Sequence, residues 1–138
     1  MTANRQPKVI PIRLRPDEDL KSTLLKTCEA LQLKAAFVVS GIGSLKSLHL
    51  RLANSTDSIK KEEFFEILTL QGTCSTSGLH LHISVADSKG AVLGGHLMEG
   101  SLIYTTAEIL LLECDEYIFH RSHDEKTGFR ELFVQRKS

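Results

Sequence analysis

The sequence predicts an α+β domain: a twisted, largely antiparallel sheet with one main helix packed on it. Three observations carry that prediction. A single stretch, residues 17–33, repeats apolar side chains at helical spacing through Leu20, Leu24, Cys28 and Leu31. From Ala35 onward β-branched and aromatic residues dominate, cut at short intervals by glycine or polar clusters, as in a run of antiparallel strands. The 138 residues, 41% of them hydrophobic, suffice for one core, and no linker, repeat or low-complexity tract divides them. The chain therefore reads as one domain, 1–138, with its core at about 9–134.

Each element has its own justification. Residues 9–14 alternate Val9, Pro11 and Arg13 with Ile10, Ile12 and Leu14, the period of a strand. Pro11 offers no N–H to a second neighbour, which places that strand at a sheet edge. Pro16-Asp17-Glu18-Asp19 then supplies a helix cap and sets acidic charge against the helix dipole. After the helix, strands are expected at 36–41, 47–53, 64–73, 79–86, 91–97, 103–113, 116–121 and 130–135. Asp87-Ser88-Lys89-Gly90 closes a hairpin between the fourth and fifth of these, with glycine where positive φ is needed, and 124–128 closes the last pair. A short helix over 100–106 competes with the start of the 103–113 strand. Gly41-Ile42-Gly43-Ser44 lacks the third glycine of a dinucleotide fingerprint and the lysine of a P-loop, and reads as a tight turn of small residues.

Charge and cysteine content narrow the function. Seventeen basic side chains balance 17 acidic ones, whereas proteins that track phosphates carry a basic excess. Direct, sequence-specific DNA binding is therefore not expected. The start, MTANRQPKVIPIRLRP, has no uninterrupted apolar region, and no apolar run approaches ~18 residues, so cytoplasm or nucleus is expected and no membrane partner. Cys28, Cys74 and Cys114 are odd in number and lack a CxxC pair, and are read as reduced thiols that pack as small apolar residues. Neither Cys74-Ser75-Thr76-Ser77 nor Ser84 stands in a nucleophile elbow.

The stretch Gly78-Leu79-His80-Leu81-His82-Ile83-Ser84-Val85 carries the most chemical information. On a strand His80 and His82 share one face, with Cα atoms about 7 Å apart. Pairing about the 87–90 turn brings His96, in Gly94-Gly95-His96-Leu97, toward them. Three imidazoles without a thiolate suit zinc, or another imidazole-favouring divalent metal, in a site with a coordination position left open. The alternative is a polar sheet face whose histidines satisfy nearby backbone. His49, His120 and His123 read as surface or sheet-edge residues.

Several of these segments, in this order, resemble the PPC (plants and prokaryotes conserved) domain family. The matching pieces are Gly41-Ile42-Gly43-Ser44-Leu45, Leu50-Arg51, Phe65 to Thr73, Leu79 to Asp87, Gly94-Gly95-His96-Leu97 and Thr105-Thr106-Ala107-Glu108-Ile109. The resemblance covers about residues 9–134. It implies a mixed α/β domain that assembles as a homotrimer, with the family's histidine trio falling on His80, His82 and His96. More distantly the fold resembles the zinc-dependent acetolactate decarboxylases. The AT-hook on which the plant members' DNA role depends is missing: no Arg-Gly-Arg-Pro occurs, and Arg5-Gln6-Pro7-Lys8 has too few cations to track a minor groove.

Beside an ion on the trio, Glu108 is a candidate catalytic base and Arg51 a candidate holder of a substrate carboxylate, unless the two pair with each other or with backbone. Three readings result. One is a homotrimeric oligomerisation and protein-interaction module with a three-histidine metal site. Another is a zinc-dependent enzyme acting on a small carboxylated or carbonyl compound. The third, a DNA-binding protein, is opposed by the charge balance. Self-association is expected because residues 103–113 are apolar on both faces: Ile103, Ala107, Ile109 and Leu111 against Leu102, Leu110 and Leu112.

Overall fold

Buried and exposed residues alternate along most strands, and this sorts the sheet into an inner face that takes the helix and an outer face that does not. The computed structural model describes residues 6–138. Met1–Arg5, part of the start weighed above as leader or groove-binding arm, lie outside the described residues. In chain order the elements are β1 (Lys8–Leu14), α1 (Leu20–Ala30), β2 (Ala36–Leu45), β3 (Leu48–Arg51), β4 (Ser58–Lys61) and β5 (Phe65–Ser75). There follow β6 (Gly78–Ala86), β7 (Val92–Leu97), β8 (Ile103–Glu113), β9 (Tyr117–His123) and β10 (Arg130–Arg136). Among the described residues β1–β8 form an 8-stranded sheet in the order β1-β8-β2-β5-β6-β7-β3-β4, and β9 and β10 form a separate hairpin. Every neighbouring pair is antiparallel. No helix among the described residues is long and apolar enough to cross a membrane.

The inner face buries Leu70, Leu81, Ile83, Val85 and Leu111 with Leu20, Leu24 and Cys28 of α1. Each fully buried leucine contributes about 2 kcal/mol relative to exposure. Pro11 does lie on an edge strand, since among the described residues β1 pairs with β8 alone. The hairpin turn is also as expected, with Asp87 Oδ1 accepting from the Lys89 and Ala91 N–H groups, each at 2.9 Å.

Several expectations are corrected. The helix begins at Leu20 because Asp17 takes a left-handed φ of 71°, leaving Asp19 as the cap that accepts from Ser22 N–H at 2.9 Å. It ends at Ala30 because Gln32 takes a φ of 52°, so Leu31, 44% exposed, falls off the apolar stripe. Cys28 and Cys74 are not free thiols. They form a disulfide that ties α1 to β5, which leaves Cys114 as the free cysteine among the described residues. Residues 41–44 continue β2 and do not turn: a Cβ on Gly43 would stand 2.1 Å from the Thr106 carbonyl oxygen, so glycine there permits close strand contact. No helix forms over 100–106, where Ser101 and Ile103 carbonyls accept from Leu20 and Asp17 N–H groups and hold the chain extended into β8. Strand β4, Ser-Ile-Lys-Lys, carries one apolar residue, too little to show a period, and pairs with β3 at the sheet's far edge.

Candidate metal centre

Strand period and register together assemble the histidine trio. His80 and His82 lie two residues apart on β6, and His82 stands directly opposite His96 on β7. All three leave the outer face, because Leu81, Ile83 and Val85 between and beyond them are buried on the inner one. The ring centroids lie 4.9, 5.3 and 5.7 Å apart, and one nitrogen from each ring lies within 4.8 Å of the others. Zn–N bonds of about 2.1 Å in a tetrahedron put ligand nitrogens about 3.4 Å apart. A closure of roughly 1 Å, available by rotating the exposed His80 and His82 rings, completes that geometry. The glycines before His96 serve close packing, since a Cβ on Gly95 would stand 2.7 Å from the Arg51 carbonyl oxygen and one on Gly94 2.6 Å from that of Ile83.

The donor set fits a cation. Partial burial lowers the His80 pKa from its ordinary value, helped by His82, Arg121 and Arg51 and opposed by Glu131. Burial, then Arg51, then His80 bring His96 down to about 4. Both shifts favour the neutral ring that ligation requires. Nδ1 of His96 is buried with no hydrogen-bond partner among the described residues, a state that costs about 1–3 kcal/mol and leaves a lone pair or N–H unused.

The other candidate residues divide. Arg51 on β3 is directly across from His96 and lines the hollows around the trio. Glu108, grouped with the trio on sequence grounds, is set apart from it within one chain. It lies on β8 opposite Arg13 and Ile42, three strand spacings or roughly 14 Å from β6, and lines a different hollow with Pro11 and Ser40. Glu108 and Arg51 therefore do not pair within the chain. His49 is half-buried, with Nδ1 2.7 Å from the Glu99 carbonyl oxygen, and His120 Nε2 lies 2.8 Å from Gln135 Oε1. Neither these two nor His123 joins the trio.

Sequence reasoning passed over Arg121, Arg130 and Glu131, which the β9–β10 hairpin brings to the hollow holding His80, His96 and Arg51. No local pattern marks them. The hairpin docks through Phe119, whose ring meets Phe37 edge-on at 5.6 Å and whose N–H bonds the Lys34 carbonyl oxygen at 2.8 Å.

Residues 1–115 match the Plants and Prokaryotes Conserved (PCC) domain. The chain belongs to that family. Solved structures of the same fold include a hypothetical protein from Salmonella cholerae-suis, with TM-score 0.93, 32% identity and 96% of each chain covered. A metal-containing protein from Archaeoglobus fulgidus is similar at TM-score 0.77 and 28% identity, over 91% of this PCC chain and 93% of that one. The bifunctional protein GlmU of Synechococcus sp. (strain JA-2-3B'a(2-13)) is 47% identical over 128 residues, 93% of this chain but 20% of that protein. The chain thus spans about a fifth of the length of the curated relatives it matches.

Proposed function

We propose that this PCC domain binds one divalent metal ion, zinc by the character of its donors, on His80, His82 and His96, and that it self-associates as a homotrimeric interaction module. The observation that carries the metal site is the convergence of three nitrogen donors within 4.8 Å on a solvent-facing sheet surface. A bound zinc ion would supply Lewis acidity at a position open to ligand. The metal content of the Archaeoglobus relative supports the same reading. Self-association is supported by apolar side chains that stay exposed on the sheet among the described residues: Val39, Ile42 and Leu68 are 44–53% exposed. Covering that face is a role for a second copy, with cyclic symmetry. That a similar segment makes up 20% of a larger bifunctional protein is in keeping with an appended module.

A zinc-dependent enzyme acting on a small carboxylated or carbonyl compound is the second reading, favoured by the arginines beside the trio. In it Arg51 keeps the role of holding a carboxylate, and Glu108 of the same chain is too distant to act as base.

Elemental analysis of protein incubated with zinc and then desalted tests the site. About one ion per chain is expected in the wild type and in His49→Ala, with loss from His80→Ala, His82→Ala and His96→Ala. Wild-type protein without stoichiometric metal overturns the proposal.

A further inference from the structure

We infer that the hollow beside the histidine trio is a binding subsite for a small dianion, a dicarboxylate or a phosphate, held by Arg51 from β3 and by Arg121 and Arg130 from the β9–β10 hairpin. The inference deepens the metal-site reading and rests on it only for the end of the ligand that would approach the trio.

Arg121 Nη2 donates to Thr73 Oγ1 at 2.7 Å, and Thr73 is directly across the sheet from His80. Arg130 Nη2 donates to the Arg121 carbonyl oxygen at 2.8 Å. Each of these guanidinium groups has five N–H donors and is held in place through one nitrogen, leaving the rest for a ligand. The Arg51 guanidinium, directly across from His96, makes no hydrogen bond or ion pair among the described residues. Three planar forks from three strands therefore surround one hollow.

Within the lining of the hollow, Glu131 is the one carboxylate facing three guanidinium groups. A dianion would neutralise the excess, and a metal ion on the trio would increase the need for one. The hollow, about 430 Å³, admits a small ligand, and Phe129, 66% exposed at its rim, offers an apolar wall to a short carbon chain. Arg121 and Arg130 lie beyond the 1–115 span of the family match, so two of the three forks come from outside the region that defines the family.

Isothermal titration of the full chain, metal-free and zinc-loaded, with succinate, inorganic phosphate and acetate tests the inference. At least one dianion is expected to bind the metal-free protein at least tenfold tighter than acetate, and the tighter of the two assigns the ligand class. Loss of a bidentate contact is worth about 1.4 kcal/mol or more, so Arg51→Gln and the surface variant Arg130→Gln should each weaken binding about tenfold, with melting temperature confirming that both fold. Dianions that bind no better than acetate, or variants that bind as the wild type does, overturn it. Dianion binding without zinc uptake overturns the metal site and upholds the anion subsite. Zinc uptake without dianion binding does the reverse.

Discussion

Gly72→Ala tests how the β5–β6 ladder positions the metal centre. A Cβ at residue 72 would lie 1.9 Å from the His80 carbonyl oxygen and 2.9 Å from Leu81 Cα. Both are backbone atoms, so no rotamer relieves the collision. Ordinary C···O contacts begin near ~3.3 Å, and the strands must part by more than ~1 Å, which stretches an N–H···O bond beyond its working range. The bonds at risk flank the site, where Thr73 pairs with His80 and Gln71 with His82. Two or three lost bonds at about 1 kcal/mol each, added to about 1–3 kcal/mol for a strained backbone, give a destabilisation of about 3–6 kcal/mol. Gly78→Ala is the control: its φ of 136° carries a backbone cost, but nothing lies within 4 Å of its Cβ. Urea unfolding should therefore place Gly72→Ala about 2–3 kcal/mol below Gly78→Ala, with zinc uptake weakened only in the former. Equal stability of the two variants would refute the steric argument and show that β5 and β6 separate freely.

Metal-free protein should lose stability as pH falls from 6.5 toward about 4, because His96 takes up a proton in the unfolded chain before the folded one. Its lowered folded value makes the contribution complete above 6.5; partial exposure of the ring reduces it to about 1–2 kcal/mol, and denaturant midpoints across that window should flatten in His96→Gln. Thiol titration of the unfolded, unreduced chain should find one reactive group, Cys114, and reduction of the Cys28–Cys74 bond, which closes a loop of 46 residues, should cost about 4 kcal/mol. Three reactive thiols would refute the disulfide. Sedimentation at micromolar concentration should show a trimer, and Ile42→Glu, which charges the exposed apolar face, should yield monomer with its fold intact; a wild-type monomer sinks the self-association argument.

Period and composition determined much of this protein. The alternation in Val9 to Leu14, the helical spacing of Leu20, Leu24 and Cys28, and the turn at Asp87-Ser88-Lys89-Gly90 are local signals, and each produced the expected element. The trio was legible for the same reason: a two-residue spacing on one strand and a short hairpin determine register, and register places His82 opposite His96. Signals fail where contact partners are remote in the chain. Gly43 resembles a turn glycine until Thr106 is known to press against it, and Cys28 and Cys74, 46 residues apart, meet only after α1 docks on β5. Glu108 and Arg51 are both strand residues in recognisable motifs, yet strand order, with β2 and β5 between β8 and β6, sets Glu108 apart and keeps Arg51 beside His96. Arg121 and Arg130 reach the site on a hairpin that Phe119 anchors against Phe37 and the Lys34 carbonyl, contacts that no spacing rule encodes. Local backbone preference writes itself into neighbouring residues, while strand order and docking depend on burying apolar surface between segments far apart in sequence.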